Sequence, residues 1–494
     1  MKQFIMAIDQ GTTGTTVLII DIKGEIVGKG YQEIKQYYPQ PGWVEHDPDE
    51  IFESVINSAK IAMNNANIGP KNIKAIGITN QRETAVLWDK QTGKPLHKAI
   101  VWQCRRTEPL CEKLRQGGYG EKIQAKTGLV VDPYFSGTKI AWLLENNESI
   151  KEAALKEKLS FGTIDTWLLY KLTNKKFFAT DFTNASRTMI FNIHDKKWDK
   201  ELLELLNIPE HILPEVKPSS GFFGITDPEI FFGQSVPIAG IAGDQQSAMY
   251  GQGSWDTGTG KNTYGTGSFL LINTGQNAII SKNGLLTTIA CNAYGQPVYA
   301  LEGAIFITGA AIQWLRDDLQ IIDHAKETEA IAEDIPDTKG VYFVPAFVGL
   351  GAPYWNSNAR AAITGLTRGS GKSEIIRAAL ESIAYQTRDV ADVMNKDSGV
   401  ELKKLNVDGG ASQNNFLMQF QADIFNVPVD RPKNTETTSI GAAYLAGLAT
   451  KFWASPKELA NIRVTEKLFT PDMDQDNRDK LYQGWKEAVK RVVL

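Results

Sequence analysis

The chain has 494 residues, 42% of them hydrophobic and 22% charged, with 53 Lys+Arg against 57 Asp+Glu and a formal net charge of -4. That length exceeds what one hydrophobic core organises and predicts two large domains. The balanced charge, with no basic run interleaved with aromatics, excludes nucleic acid as a partner.

The chain opens on two apolar runs rich in β-branched residues, Phe4 to Ile8 and Val17 to Ile20, around Gly11-Thr12-Thr13-Gly14. This reads as a tight β-hairpin. A Gly/Thr turn leaves backbone N–H groups and short hydroxyls in one concavity that suits phosphate oxygens. Asp9 at its rim either holds Mg²⁺ or caps the turn's own N–H groups. The hairpin is not a Walker loop, because no Gly-Lys-Ser/Thr follows and the next element reads as a strand. Asp9 also breaks the apolar start, which argues against a signal peptide.

Glu25 to Gly30 reads as a third strand, residues 49–66 as a helix with Ile51, Val55, Ala59 and Ala62 on one face, and Ile73 to Ile78 as a strand. That strand runs into the polar cluster Thr79-Asn80-Gln81-Arg82-Glu83-Thr84, at a strand end where open α/β sheets place ligands. Strands alternate with helices to about residue 250. Val236 to Gly243 is a further strand that delivers Asp244, Gln245 and Gln246. The aspartate there is either a helix N-cap or a catalytic carboxylate.

Asn262 to Asn273 then repeats the opening theme, a Gly/Thr turn at Gly265-Thr266-Gly267 feeding an apolar strand, followed by strands Leu285 to Cys291 and Pro297 to Leu301. Ile376, Leu380, Ile383, Val390 and Met394 recur at helical spacing. Leu405 to Gly410 is a strand ending in a second glycine turn, with Ser412 and Asn414 at a helix start that suits a nucleotide's phosphate or ribose. No run reaches the ~20 apolar residues that cross a bilayer. Cys104, Cys111 and Cys291 have no metal-ligand spacing and read as reduced thiols of a cytosolic protein, and the five scattered histidines predict no structural zinc site.

The second half thus begins as the first did, which describes an α/β chain of two actin-like ATPase (ribonuclease H-like) domains, residues 1–250 and 251–494, around an interdomain cleft. Ten segments in register resemble the FGGY carbohydrate kinases, and within them the branch that phosphorylates glycerol. They are AIDQGTT (7–13), PGWVEHDP (41–48), GITNQRET (77–84), IVWQCRRT (100–107), DPYFSGTK (132–139), TNASRTM (183–189), AGDQQ (242–246), YGTG (264–267), VDGGASQNNFLMQ (407–419) and GAAYLAGLA (441–449).

The resemblance implies a cytoplasmic, Mg²⁺-dependent transferase that uses ATP to convert glycerol to sn-glycerol 3-phosphate and assembles as a homodimer or homotetramer. On the matching positions, Arg82, Glu83, Tyr134, Asp244 and Gln245 contact glycerol's hydroxyls, Trp102 and Phe269 wall its carbon chain, and Asp244 is the general base. For Arg82 and Glu83 the alternative is an interdomain ion pair. Thr12, Thr13, Gly14 and Thr266 clamp phosphates, Gly309, Gln313, Gly410 and Asn414 touch the rest of the nucleotide, and Asp9 organises Mg²⁺. Thr16, assigned with the nucleotide residues, stands where many bacterial relatives carry Arg. The segment Thr226 to Gln234 lacks the basic residue and histidine through which some relatives are regulated, so neither fructose 1,6-bisphosphate control nor histidine phosphorylation is expected.

Overall fold

The computed structural model describes residues 2–356 and 358–493. The first sheet contains β1 (Phe4–Gln10), β2 (Gly14–Ile20), β3 (Ile26–Glu33), β4 (Ile73–Asn80), β5 (Ser220–Ile225) and β6 (Pro237–Gly243) in the order β5-β6-β4-β1-β2-β3. The first three strands form an antiparallel meander, while β1, β4 and β6 run parallel. Because alternate residues of a strand face opposite sides, β1 feeds two cores: Phe4, Met6 and Ile8 join one, Ile5 and Ala7 the other. Both faces are apolar, so both must be covered.

Helix α1 (Pro48–Asn65) covers one face with Ile51, Val55, Ala59 and Ala62. It starts where Asp47 accepts the backbone N–H of Asp49 and Pro48 occupies the first turn, two strong start signals. The other face is covered from far along the chain by α6 (Thr437–Ala449), through Ile440, Ala443, Tyr444, Leu445 and Ala446. Glycine permits that approach: a Cβ on Gly77 of β4 would lie 2.1 Å from the Ala442 carbonyl oxygen. A separate core, with Leu87, Ile100, Phe135, Ile140 and Leu159, fills the segment between β4 and β5.

The second sheet repeats the plan with β7 (Thr259–Tyr264), β8 (Ser268–Gly275), β9 (Leu286–Cys291), β10 (Pro297–Ile305), β11 (Lys404–Asp408), β12 (Val429–Pro432) and β13 (Thr465–Phe469), ordered β9-β10-β8-β7-β11-β12-β13. Here β7, β8 and β10 form the meander, β7, β11 and β12 run parallel, and β13 is antiparallel at the edge as β5 is in the first sheet. Strand β9 is the addition.

Helices α2 (Asp244–Gly251), α3 (Gly309–Asp317), α4 (Lys372–Ser398) and α5 (Asn415–Phe425) follow the strands, and α4 buries Ile376, Leu380, Ile383, Val390 and Met394 along one side. Helices α2 and α6, which follow equivalent strands β6 and β12, pack on each other. A Cβ on Gly441 would stand 1.9 Å from the Ser247 carbonyl oxygen, and Ser247 Oγ donates to the Thr438 carbonyl at 2.7 Å. Two such sheets joined through paired helices make the actin-like, ribonuclease H-like arrangement, with the cleft between its halves.

Candidate active site

Parallel register sets the chemistry of the first half. Asp9 lies opposite Thr79, and both Gln10 and Gly243 lie opposite Asn80, so β1, β4 and β6 end at one level. At those ends stand Asp9, then Arg82 and Glu83, then Asp244, at the carboxyl side of the strands where such sheets bind ligands. Glu83 sits in the left-handed region at φ 62°, a conformation that costs a non-glycine residue energy and that clusters at functional sites. Ser136 Oγ donates to its carbonyl at 3.0 Å, and buried Lys139 donates to the carbonyls of Glu83, Tyr134 and Phe135.

Arg82 is 2% exposed in its side chain and forks into a buried ionic cluster. Its Nη1 and Nη2 donate to Glu302 at 2.6 and 3.1 Å, Nη1 also reaches Gln246 Oε1 at 3.2 Å, and Nε lies 3.1 Å from Asp244 Oδ1. Arg187, fully buried, donates from Nε to Glu83 Oε1 at 2.6 Å and sets Nη2 3.0 Å from Glu302 Oε1. Burial alone would raise the Glu302 pKa, but the guanidiniums of Arg187 and Arg82 hold it down to about 2. Burial drives Glu83 upward against the same two cations. Asp244 keeps 32% of its side chain exposed, so a carboxylate open to the cleft is aimed by a guanidinium that is not. It also accepts the Gln245 N–H at 2.6 Å, but the helix N-cap is Gly243 and Asp244 stands in the first turn, so the N-cap alternative does not hold.

Alternation on the second sheet shows what meets this cluster. Lys261 pairs with Leu271, which pairs with Glu302, and Thr263 pairs with Phe269, which pairs with Ala304. Lys261, Glu302 and Phe269 therefore share the face turned to the first half. Lys261 is fully buried and donates to Gln245 Oε1 and, at 2.9 Å, to Thr263 Oγ1. Burial pulls its pKa down to about 8 despite Asp408, Asp244 and Glu302. Trp102 and Tyr134, both half-buried, meet edge to face at 5.5 Å.

Three side-chain amides shape the hairpin turn. Gln10 and Gln81 donate to the Gly11 carbonyl at 2.7 and 3.2 Å, Gln36 donates to the Thr12 carbonyl at 2.7 Å, and buried His46 braces Gln36 and Gln81. With carbonyls so engaged, the backbone N–H groups of Thr12 and Thr13 have no acceptor among the described residues and remain for an incoming anion. Trp102 Nε1 donates to Thr12 Oγ1 at 2.9 Å. Gly14 packs so tightly that a Cβ would lie 2.6 Å from the Gln32 carbonyl oxygen. Thr16 lies opposite Asp9 on β2. Asp9 accepts from Ser439 Oγ of α6 at 3.0 Å, and burial, opposed by that hydrogen bond but reinforced by Asp244 and Glu436, lifts its pKa to about 7.

On the second half, exposed Thr266 occupies the matching turn, and its carbonyl accepts the N–H groups of Thr308 and Ala310. Gly309 opens α3 with its N–H on the Gly265 carbonyl, and Gln313 lies exposed one turn later. Exposed Gly410 follows β11, and Asn414 caps α5 by accepting the Leu417 N–H at 2.9 Å while its Nδ2 donates to Thr328. The structure thus brings Arg82, Glu83, Tyr134 and Asp244 within charge contact, joins Trp102 to Tyr134 and Gln245 to Asp244, and leaves Phe269 on the facing sheet. Thr12, Thr13, Gly14 and Thr266 lie at two turns, Gly309 and Gln313 in α3, Gly410 and Asn414 ahead of α5, and Thr16 within β2. Thr226 to Gln234 is a turn after β5, with Asp227 accepting Lys176 Nζ at 2.7 Å.

Sequence reasoning passed over Glu302, Arg187 and Lys261. Glu302 had a signal, a lone carboxylate inside the apolar strand Val298–Ile305, and Arg187 lies in the segment TNASRTM. Lys261 precedes the Gly/Thr turn by four residues and looks solvated when read alone.

Residues 4–251 match the N-terminal domain of the FGGY family of carbohydrate kinases, and residues 260–450 its C-terminal domain. The chain is 59% identical over 493 residues to the glycerol kinase of Caldanaerobacter subterraneus subsp. tengcongensis, covering 100% of this chain and 99% of that protein. To glycerol kinase 2 of Thermotoga maritima it is 58% identical over 489 residues, 99% of this chain and 98% of that one. Its structure is similar to that of Plasmodium falciparum glycerol kinase with ADP, with a TM-score of 0.95 at 41% identity over 100% of this chain and 99% of the other. The gluconate kinase of Lactobacillus acidophilus, at 24% identity and a TM-score of 0.89, shares the fold. Matched in both halves and over its whole length, the chain belongs to the FGGY family of carbohydrate kinases.

Proposed function

We propose that the protein transfers the terminal phosphoryl group of ATP to glycerol, giving sn-glycerol 3-phosphate, with Asp244 as general base. The observation that carries the chemistry is the 3.1 Å contact between Arg82 Nε and Asp244 Oδ1, which fixes an accessible carboxylate at a strand end in the cleft. In-line phosphoryl transfer asks the protein chiefly to position the acceptor hydroxyl and take its proton. Full-length identity to proteins named glycerol kinase supports glycerol as that acceptor.

Arg82, Glu83, Tyr134, Asp244 and Gln245 supply donors and acceptors for three hydroxyls, while Trp102 and Phe269 face the carbons. An analogue lacking one hydroxyl leaves a buried partner unpaired, so the pocket discriminates by polarity. Residues 1–250 hold glycerol and the base in this reading. The Thr12-Thr13-Gly14 turn and Thr16 meet the phosphates from the same half, and Thr266, Gly309, Gln313, Gly410 and Asn414 in residues 251–494 make most nucleotide contacts. Closure of the halves excludes water and limits wasteful hydrolysis.

The donor set fits Mg²⁺. Burial lifts the Asp9 pKa to about 7 and the nearby Asp244 carboxylate adds to the rise, so a divalent cation bound here would favour the ionised carboxylate. Asp9 would hold the ion, with water and substrate phosphates completing its shell. Bound there, Mg²⁺ supplies charge neutralisation on the phosphate oxygens. Three free, buried cysteines accord with a cytoplasmic enzyme, assembled as a homodimer or homotetramer, and light scattering reads that state directly.

The test is ADP release from Mg·ATP with and without glycerol, for the parent and Asp244→Asn. Glycerol-dependent turnover that falls by about two orders of magnitude or more in the variant is the expected result. Turnover indifferent to glycerol rejects the substrate, and an active variant removes Asp244 from its role.

A further inference from the structure

Lys261 is a buried ammonium that the reaction as described leaves without a task. It stands on β7 of the second half, yet its Nζ donates to Gln245 Oε1 at the start of α2 in the first half, so the contact crosses the cleft. Its remaining partner is Thr263 Oγ1 at 2.9 Å, on the same face of the same strand.

The chemistry of the donor fixes the acceptor. An ammonium only donates, so the amide atom it meets is the oxygen of Gln245. The amide nitrogen is thereby turned the other way, and Gln245 Nε2 has no hydrogen-bond partner among the described residues. Gln245 is half-buried beside Asp244, and its free N–H groups are left for a ligand. Charge also binds the lysine to this place. The carboxylates of Asp408, Asp244 and Glu302 favour its charged form against the burial that opposes it.

We propose that Lys261 is a positioning residue of the glycerol site: reaching across the cleft, it orients the Gln245 side chain so that its amide N–H groups, and not its oxygen, face the polyol. This rests on the glycerol-phosphorylating reading above. Lys261 acts through Gln245, and glycerol capture becomes coupled to apposition of the two halves.

The test is a double-mutant cycle on the full-length enzyme with Lys261→Met, which keeps chain length and removes the donors, Gln245→Leu, and both together. In steady-state kinetics, Lys261→Met raises the KM for glycerol about tenfold, as loss of one charged hydrogen bond implies, while the KM for ATP stays within about twofold. In the Gln245→Leu background the same change moves the KM for glycerol by less than about twofold, because the relay is already broken. An additive cycle, or an equal rise in the KM for ATP, overturns the proposal. If thermal melting shows Lys261→Met unfolded, Lys261→Gln carries the same cycle, its amide too short to reach. The parent enzyme keeps the two ideas apart: turnover without glycerol dependence defeats the substrate assignment, whereas a glycerol-dependent parent with an additive cycle defeats only the role of Lys261.

Discussion

Replacing Glu302 by Gln tests whether the buried ionic cluster holds the two halves together. Glu302 comes from the second sheet, its side chain is 1% exposed, and it accepts from Arg82 at 2.6 and 3.1 Å with Arg187 Nη2 at 3.0 Å, both from the first half. The fall of its pKa from the ordinary 4.5 to about 2 corresponds to ~3 kcal/mol of stability at neutral pH. An independent argument gives the same size: removing one partner of a buried ion pair costs about 3–5 kcal/mol, because the remaining charges lose their compensation. For a cooperative unit of about 250 residues, ~3 kcal/mol lowers Tm by about 7 °C. Because folding depresses this pKa, the stabilisation is complete above about pH 4.5 and is lost as pH falls toward 2. Calorimetric scans of parent and Glu302→Gln at pH 7 and pH 3.5 should therefore differ, with about 1 kcal/mol of the gap gone at the lower pH. A Tm change under about 2 °C at pH 7, or a gap identical at both pH values, refutes the reasoning.

Trp102→Phe keeps the aromatic wall but removes the indole donor on Thr12 Oγ1, so the KM for ATP at saturating glycerol should rise about fivefold, the worth of one neutral hydrogen bond; an unchanged KM rejects that link. Gly441→Ala places a methyl 1.9 Å from the Ser247 carbonyl and pushes α2 off α6, costing ~2 kcal/mol in urea unfolding, and an unshifted midpoint would falsify the close packing. Asp9→Asn should raise the Mg²⁺ concentration for half-maximal turnover about tenfold or more, and chelation of Mg²⁺ should abolish turnover in the parent. Fructose 1,6-bisphosphate should leave turnover unchanged, given the turn at Thr226 to Gln234, and any titratable response contradicts that expectation.

Much of the fold was legible because strand and helix periodicity is local. The hairpin at residues 4–20, helix α1 and helix α4 appear within a few residues of where apolar spacing puts them. The repeat of a Gly/Thr turn at Gly265-Thr266-Gly267 foretold a second sheet with the meander and parallel strands of the first. What spacing did not reveal is that α6, encoded after residue 430, roofs the sheet formed by residues 4–243. Its apolar surface wraps most of the helix, so periodicity says that it is buried but not by what.

The site divides in the same way. Sequence alone determined which carboxylates, amides and hydroxyls arrive at strand ends and turns, since Asp9, Arg82, Glu83 and Asp244 each follow an apolar run that must be a buried strand. Only the tertiary structure decided their company. Glu302 meets Arg82 across 220 positions and Ser439 meets Asp9 across 430, contacts set by how two sheets face each other. A charge looks solvated in sequence until a partner from the other half removes it from water, and the cost of burying it unpaired is what makes that partnership specific.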